Sequence, residues 1–190
     1  MSVITISPAL PGMVTSFQGE DNADFMVKMI LTIPALFIAV SSPFAGRFID
    51  RYGRMKLLII AIILYGVSGV AGFFLNNLWH ILISRAVLGI AVGMSMTVVV
   101  TLVGDYFEGL ERQKFIGLQI AFMSIGGIIF ITGGGILADV SWRYPFLIYL
   151  FSFLVLPLVF MYLREPQLTH RNEASAITLK SPGFILFHTL

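Results

Sequence analysis

Five long apolar segments dominate this sequence and limit the folds open to it. They cover residues 25–45, 57–76, 78–103, 115–138 and 144–163. Each is long enough for the roughly 20 residues that a helix needs to cross the hydrocarbon of a membrane. Of the 190 residues, 57% are hydrophobic and 12% are charged, and the mean hydropathy is +0.92. Because a water-soluble domain needs more charge on its surface, we predict an all-α, polytopic membrane protein.

The composition also excludes several kinds of site and partner. The chain has no cysteine, so disulfides and thiolate metal sites are excluded. The formal net charge of +2 is too small to indicate binding to nucleic acid. We therefore predict no metal, no cofactor and no nucleic-acid partner, and we expect the lipid bilayer to be the main surrounding of the chain.

The basic residues are distributed unequally between the two sides of the predicted spans. One side carries Arg47, Arg51, Arg54, Lys56, Arg112, Lys114, Arg164, Arg171 and Lys180. The other side carries Arg143 and Lys28, together with the acidic stretch at 20–24. Cytoplasmic loops are enriched in Lys and Arg. We therefore predict that residues 46–56 are cytoplasmic, in a multi-pass protein of a cell membrane, most simply a bacterial cytoplasmic membrane.

The two ends of the sequence differ from the spans between them. Residues 2–14 are apolar but too short to cross a membrane, as expected for the second half of a helix. Residues 164–180 are polar and charged, and residues 181–190 are apolar again. We predict a helical bundle over 1–163, a cytoplasmic linker over 164–180, and the start of a truncated next span over 181–190.

Residues 46–56, "GRFIDRYGRMK", form a charged stretch between the first two full spans. A bias of positive charge toward the cytoplasm explains its basic residues, but it explains neither the aspartate nor the glycines. Glycines permit tight turns and close helix approach. A carboxylate held between arginines is a contact that one arrangement of helices makes and another breaks. We predict a gating loop formed by Gly46, Asp50, Arg51, Gly53, Arg54 and Lys56.

The spacing of this loop resembles the signature between the second and third helices of the major facilitator superfamily. That signature reads G-x-x-x-D-R-x-G-R-[KR], and the sequence departs from it only at Met55, where a basic residue is usual. The segments "ISRAVLGIAVG" (83–93), "GDYFEGLERQKFIGL" (104–118) and "GGGILADVSWRYPFLIY" (133–149) resemble later parts of the same family. From residue 7 to about 165 the chain is similar to the amino-terminal six-helix half, with its first helix truncated.

The resemblance implies a secondary active transporter that moves small molecules by alternating access, most simply by proton-coupled efflux. The partners it implies are a small-molecule substrate, a proton and a missing carboxy-terminal half. One departure weakens the antiporter interpretation. Family members that exchange drugs for protons often carry G-x-x-x-G-P-x-x-G-G in the fifth helix, whereas "SIGGIIFITGGGILA" (124–138) has the glycines without the proline.

Single residues within or beside the spans are further candidates. Arg85 lies inside a span, where a cation is costly and marks a functional site by default. A backbone carbonyl, Gln119 or a residue of the missing parts would serve as its partner. Arg85 and Gln119 are therefore candidates for a proton or substrate pathway, although structural roles are open for both. Gly89 and Gly93 form G-x-x-x-G, which indicates close helix packing.

The segment at 104–114 supplies further charged residues, and its simplest interpretation is a solvated loop. The resemblance implies that Asp105 and Arg112 join Asp50 and Arg54 in a cytoplasmic charge network.

Other classes of function fit less well. An intramembrane serine protease needs a serine in a glycine setting with a histidine base. Ser95 is followed by Met96, and His80 lies at the edge of a span. We therefore predict that the chain is not an enzyme. A non-transporting fragment of a truncated gene and half of a metabolite uptake symporter stay open as alternatives.

Overall fold

A computed structural model describes residues 4–19 and 22–163 of the chain. The described part begins with a 3₁₀ segment, Ile4–Ala9, and a short helix α1, Leu10–Ser16. Four long helices follow, and they are α2 Ala23–Tyr52, α3 Arg54–Phe74, α4 Leu78–Tyr106 and α5 Gly109–Val140. The last span starts as a 3₁₀ segment, Tyr144–Leu150, and continues as α6, Phe151–Tyr162.

The five predicted spans are confirmed, because five helical stretches are long and apolar enough to cross a membrane. The predicted cytoplasmic loops, however, are mostly helical. Helix α2 continues to Tyr52, and Gly53 alone joins it to α3. Only Phe107 and Glu108 separate α4 from α5, where we expected a loop over 104–114. A helix of 30 residues is about 45 Å long, so its charged ends extend beyond roughly 30 Å of hydrocarbon without unwinding.

Helix α4 lies at the centre of the packing, between α2 on one side and α3 on the other. The last span packs against α3. Helix α5 contacts mainly the 3₁₀ segments at 4–9 and 144–150, and it barely touches α4. Of the 32 residues of α5, only Gly127 and Gly134 are buried. The described bundle is therefore tightly packed around α4 and open along α5. The predicted linker at 164–180 and the predicted span start at 181–190 lie outside the described residues.

Candidate functional site

The junction between α2 and α3 consists of one glycine. We call this end of the bundle, which is predicted to be cytoplasmic, the inner end, and the opposite one the outer end. Gly53 has φ 84° and ψ 161°, a backbone conformation that is essentially restricted to glycine. Its N–H donates to the carbonyl of Ile49, which closes the last turn of α2. Gly46, by contrast, lies inside α2, and a Cβ added there would meet nothing within 4 Å. The predicted turn therefore needs Gly53, whereas for Gly46 the expectation of a turn or close approach was wrong.

An ion pair joins α3 to α4 at this same end of the bundle. Arg54, the first residue of α3, places Nε 3.0 Å from Oδ2 of Asp105, the penultimate residue of α4. The two side chains are 11% and 14% exposed. The distance is short, but the N–H does not point along it, so the contact is mainly one between charges. The pair joins two consecutive spans at the inner end.

The other members of the predicted charge network are not brought into this pair. Asp50 is exposed and makes no ion pair within the described ranges, so it is not held between Arg51 and Arg54 as expected. Arg51 and Lys56 are exposed as well. The guanidinium of Arg112 would lie 3.8 Å from a Cβ at Gly104, beside the end of α4. The structure therefore forms a pair at Arg54 and Asp105, with Arg112 nearby, rather than a four-residue network.

A second arginine lies at the opposite end of α4, in the outer half of the bundle. Arg85 is 1% exposed. Its Nη2 donates to the carbonyls of Gly69, at 2.9 Å, and Ser68, at 3.3 Å, and its Nη1 donates to the hydroxyl of Tyr149, at 3.4 Å. The expectation of a backbone carbonyl as its partner thus fits the geometry, and Gln119 is not the partner. Arg85 connects α4 to α3 and to the last span, and we call this set of contacts the Arg85 clamp.

Aromatic rings complete the Arg85 clamp. The guanidinium carbon lies 4.8 Å from the ring centroid of Phe146 and 5.3 Å from that of Tyr149, distances at which a cation is attracted to the ring face. The ring of Tyr65 packs edge-on against Tyr149, with centroids 5.3 Å apart. The described part of the chain places no carboxylate on Arg85. Carbonyl dipoles and ring faces therefore stabilise the buried charge in place of a counter-ion.

Two glycine seams allow the helices to approach this closely. At the α2–α4 seam, a Cβ at Gly89 would lie 2.5 Å from the carbonyl oxygen of Pro34, and one at Gly93 would overlap Ser41. At the seam between α3 and the last span, Gly66, Gly69 and Gly72 lie against residues 146–153. Close packing by Gly89 and Gly93 was predicted from their spacing. The second seam was missed, although the glycines repeat every three residues in "GVSGVAG", the spacing of one helix face.

Gln119 lies on α5, far from Arg85. Counting along α4 and α5 from their shared cytoplasmic end, the two residues differ in depth by about 15 Å. Gln119, Gly126 and Gly133 follow one another at seven-residue intervals, which places them on one face of α5. A Cβ at Gly133 would meet nothing within 4 Å, and one at Gly126 would meet only Phe130 of the same helix. We call this face the α5 seam. No described helix packs closely against its glycines, and a groove of about 540 Å³ separates Gly133 from the last span.

A cavity of about 300 Å³ lies beside the Arg85 clamp, between α3, α4, α5 and the last span. Aromatic rings and hydroxyl groups line it, including those of Tyr65, Ser95, Phe130, Tyr149 and Ser152. None of its lining residues carries a charge. The Oγ of Ser152 is buried and has no hydrogen-bond partner within the described ranges. The surface therefore suits an amphipathic molecule better than an ion.

Comparison with known proteins identifies the fold family. The sequence profile of the Major Facilitator Superfamily matches residues 1–188. The chain belongs to this superfamily. The resemblance to its amino-terminal half is thereby confirmed, together with the all-α membrane fold.

Several drug-resistance proteins are similar in sequence. The chain is 27% identical over 163 residues to the tetracycline resistance protein, class H, of Pasteurella multocida, covering 85% of this chain and 40% of that protein. It is 33% identical over 135 residues to multidrug resistance protein 1 of Bacillus subtilis (strain 168), covering 70% and 35%. It is 25% identical over 191 residues to the tetracycline resistance protein, class B, of Escherichia coli, covering 100% and 47%. The chain thus spans less than half the length of each of these relatives.

These similarities support transport as the general function. The superfamily match and the five helices long and apolar enough to cross a membrane indicate a multi-pass membrane protein.

Proposed function

We propose that this chain forms one bundle of a proton-coupled efflux transporter of a bacterial cytoplasmic membrane. In this mechanism two bundles rock about a site near the middle of the membrane and expose it to each side in turn. The bundle described above supplies one wall of such a passage. A second bundle, the missing carboxy-terminal half, supplies the other.

The open α5 seam is the observation that carries the proposal. In membranes, small residues are enriched where helices pack against one another, because they let backbones come close. Gly66, Gly69, Gly89 and Gly93 each meet a neighbouring helix, whereas Gly126 and Gly133 do not. A glycine face without a helix partner on a 32-residue span is best explained by a helix of the second bundle. On this face Gln119 would line the passage between the two bundles.

The lining of the cavity and the identity of the relatives suggest the class of substrate. The cavity beside Tyr149 has aromatic, aliphatic and hydroxyl groups and no charged side chain. Relatives named for resistance to tetracycline and to quinolones act on compounds with aromatic rings and polar substituents. We infer that the substrate is an amphipathic aromatic compound and that it leaves the cell in exchange for protons.

The test uses inside-out membrane vesicles with an imposed pH gradient and a fluorescent pH probe. The chain is expressed alone or with the carboxy-terminal half of the class B tetracycline resistance protein, and tetracycline or a quinolone is added. We expect drug-dependent proton release only when both halves are present. Drug-driven proton release by the chain alone would contradict the need for a second bundle.

Two matched variants test the α5 seam in the same vesicles. Gly133→Trp should prevent co-purification of the second half and abolish proton release, because the indole fills the seam. Gly135→Trp changes a glycine on a different face of α5 and should leave co-purification intact. Equal loss of co-purification in both variants would show that the second bundle does not bind at the α5 seam. Co-purification without any proton release would favour a non-transporting pair.

A further inference from the structure

The cytoplasmic end of α2 carries a surface in which basic and aromatic side chains alternate. Phe44, Phe48 and Tyr52 are each about half exposed, and Arg47 and Arg51 are exposed beside them. These positions are separated by three and four residues, so they share one broad face of the helix. We call this face the α2 inner face.

The arginines of this face are free of carboxylates. Neither Arg47 nor Arg51 forms an ion pair within the described ranges, although Asp50 lies between them in sequence. The guanidinium of Arg51 is 5.5 Å from the ring centroid of Tyr52, and that ring stacks on Phe48 with centroids 6.1 Å apart. The rings hold the guanidinium in place and leave its N–H groups available to an anion.

The depth of the α2 inner face in the membrane narrows the choice of anion. Helix α2 is about 45 Å long, which exceeds the hydrocarbon thickness by roughly ten residues. If the hydrocarbon begins near the exposed Lys28, twenty residues bring its inner boundary to about Phe48. Arg47 and Arg51 then lie at the level of the lipid headgroups, where basic residues meet the anionic lipids of the cytoplasmic leaflet.

An apolar stripe continues from this face into the membrane. Leu36, Val40, Phe44 and Phe48 follow each other at four-residue intervals, and all four are about half exposed or more. A lipid acyl chain can lie along such a stripe while its phosphate reaches the arginines. We propose that the α2 inner face binds an anionic phospholipid, with Arg47 and Arg51 on the phosphate and the stripe along one acyl chain.

This inference does not depend on transport, so it is tested by binding alone. The purified chain in detergent is titrated with phosphatidylglycerol or with phosphatidylcholine of the same chain length, and bound lipids are counted by native mass spectrometry. Each arginine near an anionic surface contributes about 1 kcal/mol, so the double variant R47Q/R51Q should bind phosphatidylglycerol about 30-fold more weakly. Its binding of phosphatidylcholine should not change.

A charge-matched control separates a site from a general effect of charge. K56Q/K114Q removes two exposed cytoplasmic cations outside the α2 inner face, and it should weaken phosphatidylglycerol binding less than threefold. An equal loss in both double variants, or no loss in R47Q/R51Q, would overturn the proposal. F48A/Y52A keeps both charges and should still weaken binding measurably, because the guanidinium loses its aromatic support.

Competition and co-expression separate the other possible occupants. Millimolar glycerol phosphate should not displace phosphatidylglycerol from the wild-type chain, and displacement would mean that a free phosphate suffices. Binding of phosphatidylglycerol should persist when the second bundle is co-expressed, and loss of binding would mean that protein covers this face.

If R47Q/R51Q does not fold, two measurements on folded protein replace it. These are phosphatidylglycerol binding by Arg51→Lys and the affinity of the wild-type chain for each of the two lipids. Equal affinity for the two lipids would then overturn the proposal.

Discussion

The two ends of α4 are each joined to α3 through an arginine, but the surroundings of the two arginines are opposite. At the outer end, Arg85 is buried and held by backbone carbonyls and aromatic rings. At the inner end, Arg54 meets the carboxylate of Asp105, and the two side chains are 11% and 14% exposed. Opening the outer contact would leave a desolvated cation, because Arg85 is 1% exposed. The inner contact joins two charges that keep some contact with solvent, so breaking it should cost less than breaking the outer one.

This contrast suggests where the described bundle stays rigid and where it yields. The Arg85 clamp and the seam at Gly66, Gly69 and Gly72 fix α3, α4 and the last span in the outer half. At the inner end, Gly53 and one ion pair connect consecutive spans beside a smaller buried cluster that includes Ile49, Leu57 and Leu102. We expect substitutions at the outer end to change the stability of the fold and those at the inner end to change it little.

The largest effect is expected for Arg85→Ala. The variant loses two hydrogen bonds to carbonyls and the packing of the guanidinium on Phe146 and Tyr149, and it leaves a cavity. We expect the free energy of unfolding in detergent to fall by about 3 kcal/mol. Arg143→Ala is the control, since Arg143 also stacks on an aromatic ring, that of Trp142, but is only partly buried. If Arg85→Ala lowers the free energy of unfolding no more than Arg143→Ala does, the contrast between the two ends of α4 is lost.

A smaller loss is expected for Gly69→Ala. A Cβ at this position would overlap Cβ of Tyr149, which the backbone fixes in place, so no rotation of the tyrosine side chain relieves the overlap. Overpacking of this kind typically lowers the free energy of unfolding by about 2 kcal/mol.

The matched control for this change is Gly133→Ala on the open α5 seam. There the added methyl group meets nothing, and alanine favours the helix over glycine by up to about 1 kcal/mol. In denaturant titrations, Gly69→Ala should lower the free energy of unfolding and Gly133→Ala should raise it, which would sharpen the contrast between packed and open glycines. A change of the same sign in both variants would mean that α3 and the last span pack less closely than the glycine contacts indicate.

Much of this architecture was predictable from the sequence, because spans are set by the length and hydropathy of each segment. Seam glycines such as Gly89 and Gly93 were found for a similar reason, since their spacing alone defines a helix face. The partners of charged residues were harder to predict. Asp50 precedes Arg51 and Arg54 in a compact motif, yet Arg54 meets Asp105, about fifty residues later. Such a pairing depends on how α3 and α4 pack, which local spacing does not encode.

The same limit explains why Tyr149 was not predicted as a partner of Arg85. The two residues are 64 positions apart, and a tyrosine in an apolar span has the composition of an ordinary packing residue. The glycines at 66, 69 and 72 were the available signal, because they indicate that another helix lies close to α3 just where Arg85 needs acceptors. The loops were mispredicted for a simpler reason. Charge marks the end of the hydrocarbon, not the end of a helix.

Tyr149→Phe separates the hydroxyl group from the ring in the Arg85 clamp. The ring stays over the guanidinium, and the acceptor at 3.4 Å is lost. Because that contact is long, we expect a loss of about 1 kcal/mol in the free energy of unfolding. In the Arg85→Ala background the same change should cost less, which a double-mutant cycle would show. Equal losses in both backgrounds would assign the hydroxyl group to another partner.

The smallest effect is expected for Asp105→Asn at the inner end. Neutralising the carboxylate removes the attraction to Arg54 but keeps the size of the side chain and one of its oxygens, and both side chains keep some exposed surface, so the loss in the free energy of unfolding should be about 0.5 kcal/mol. This loss should shrink as salt is raised from low ionic strength to about 1 M, because the pair is partly exposed. Asp50→Asn is the matched control and should change stability less, since Asp50 is exposed and makes no ion pair in the described part of the chain. A salt-insensitive loss of several kcal/mol at Asp105 would make the inner end as fixed as the outer one and would remove the contrast between the two ends.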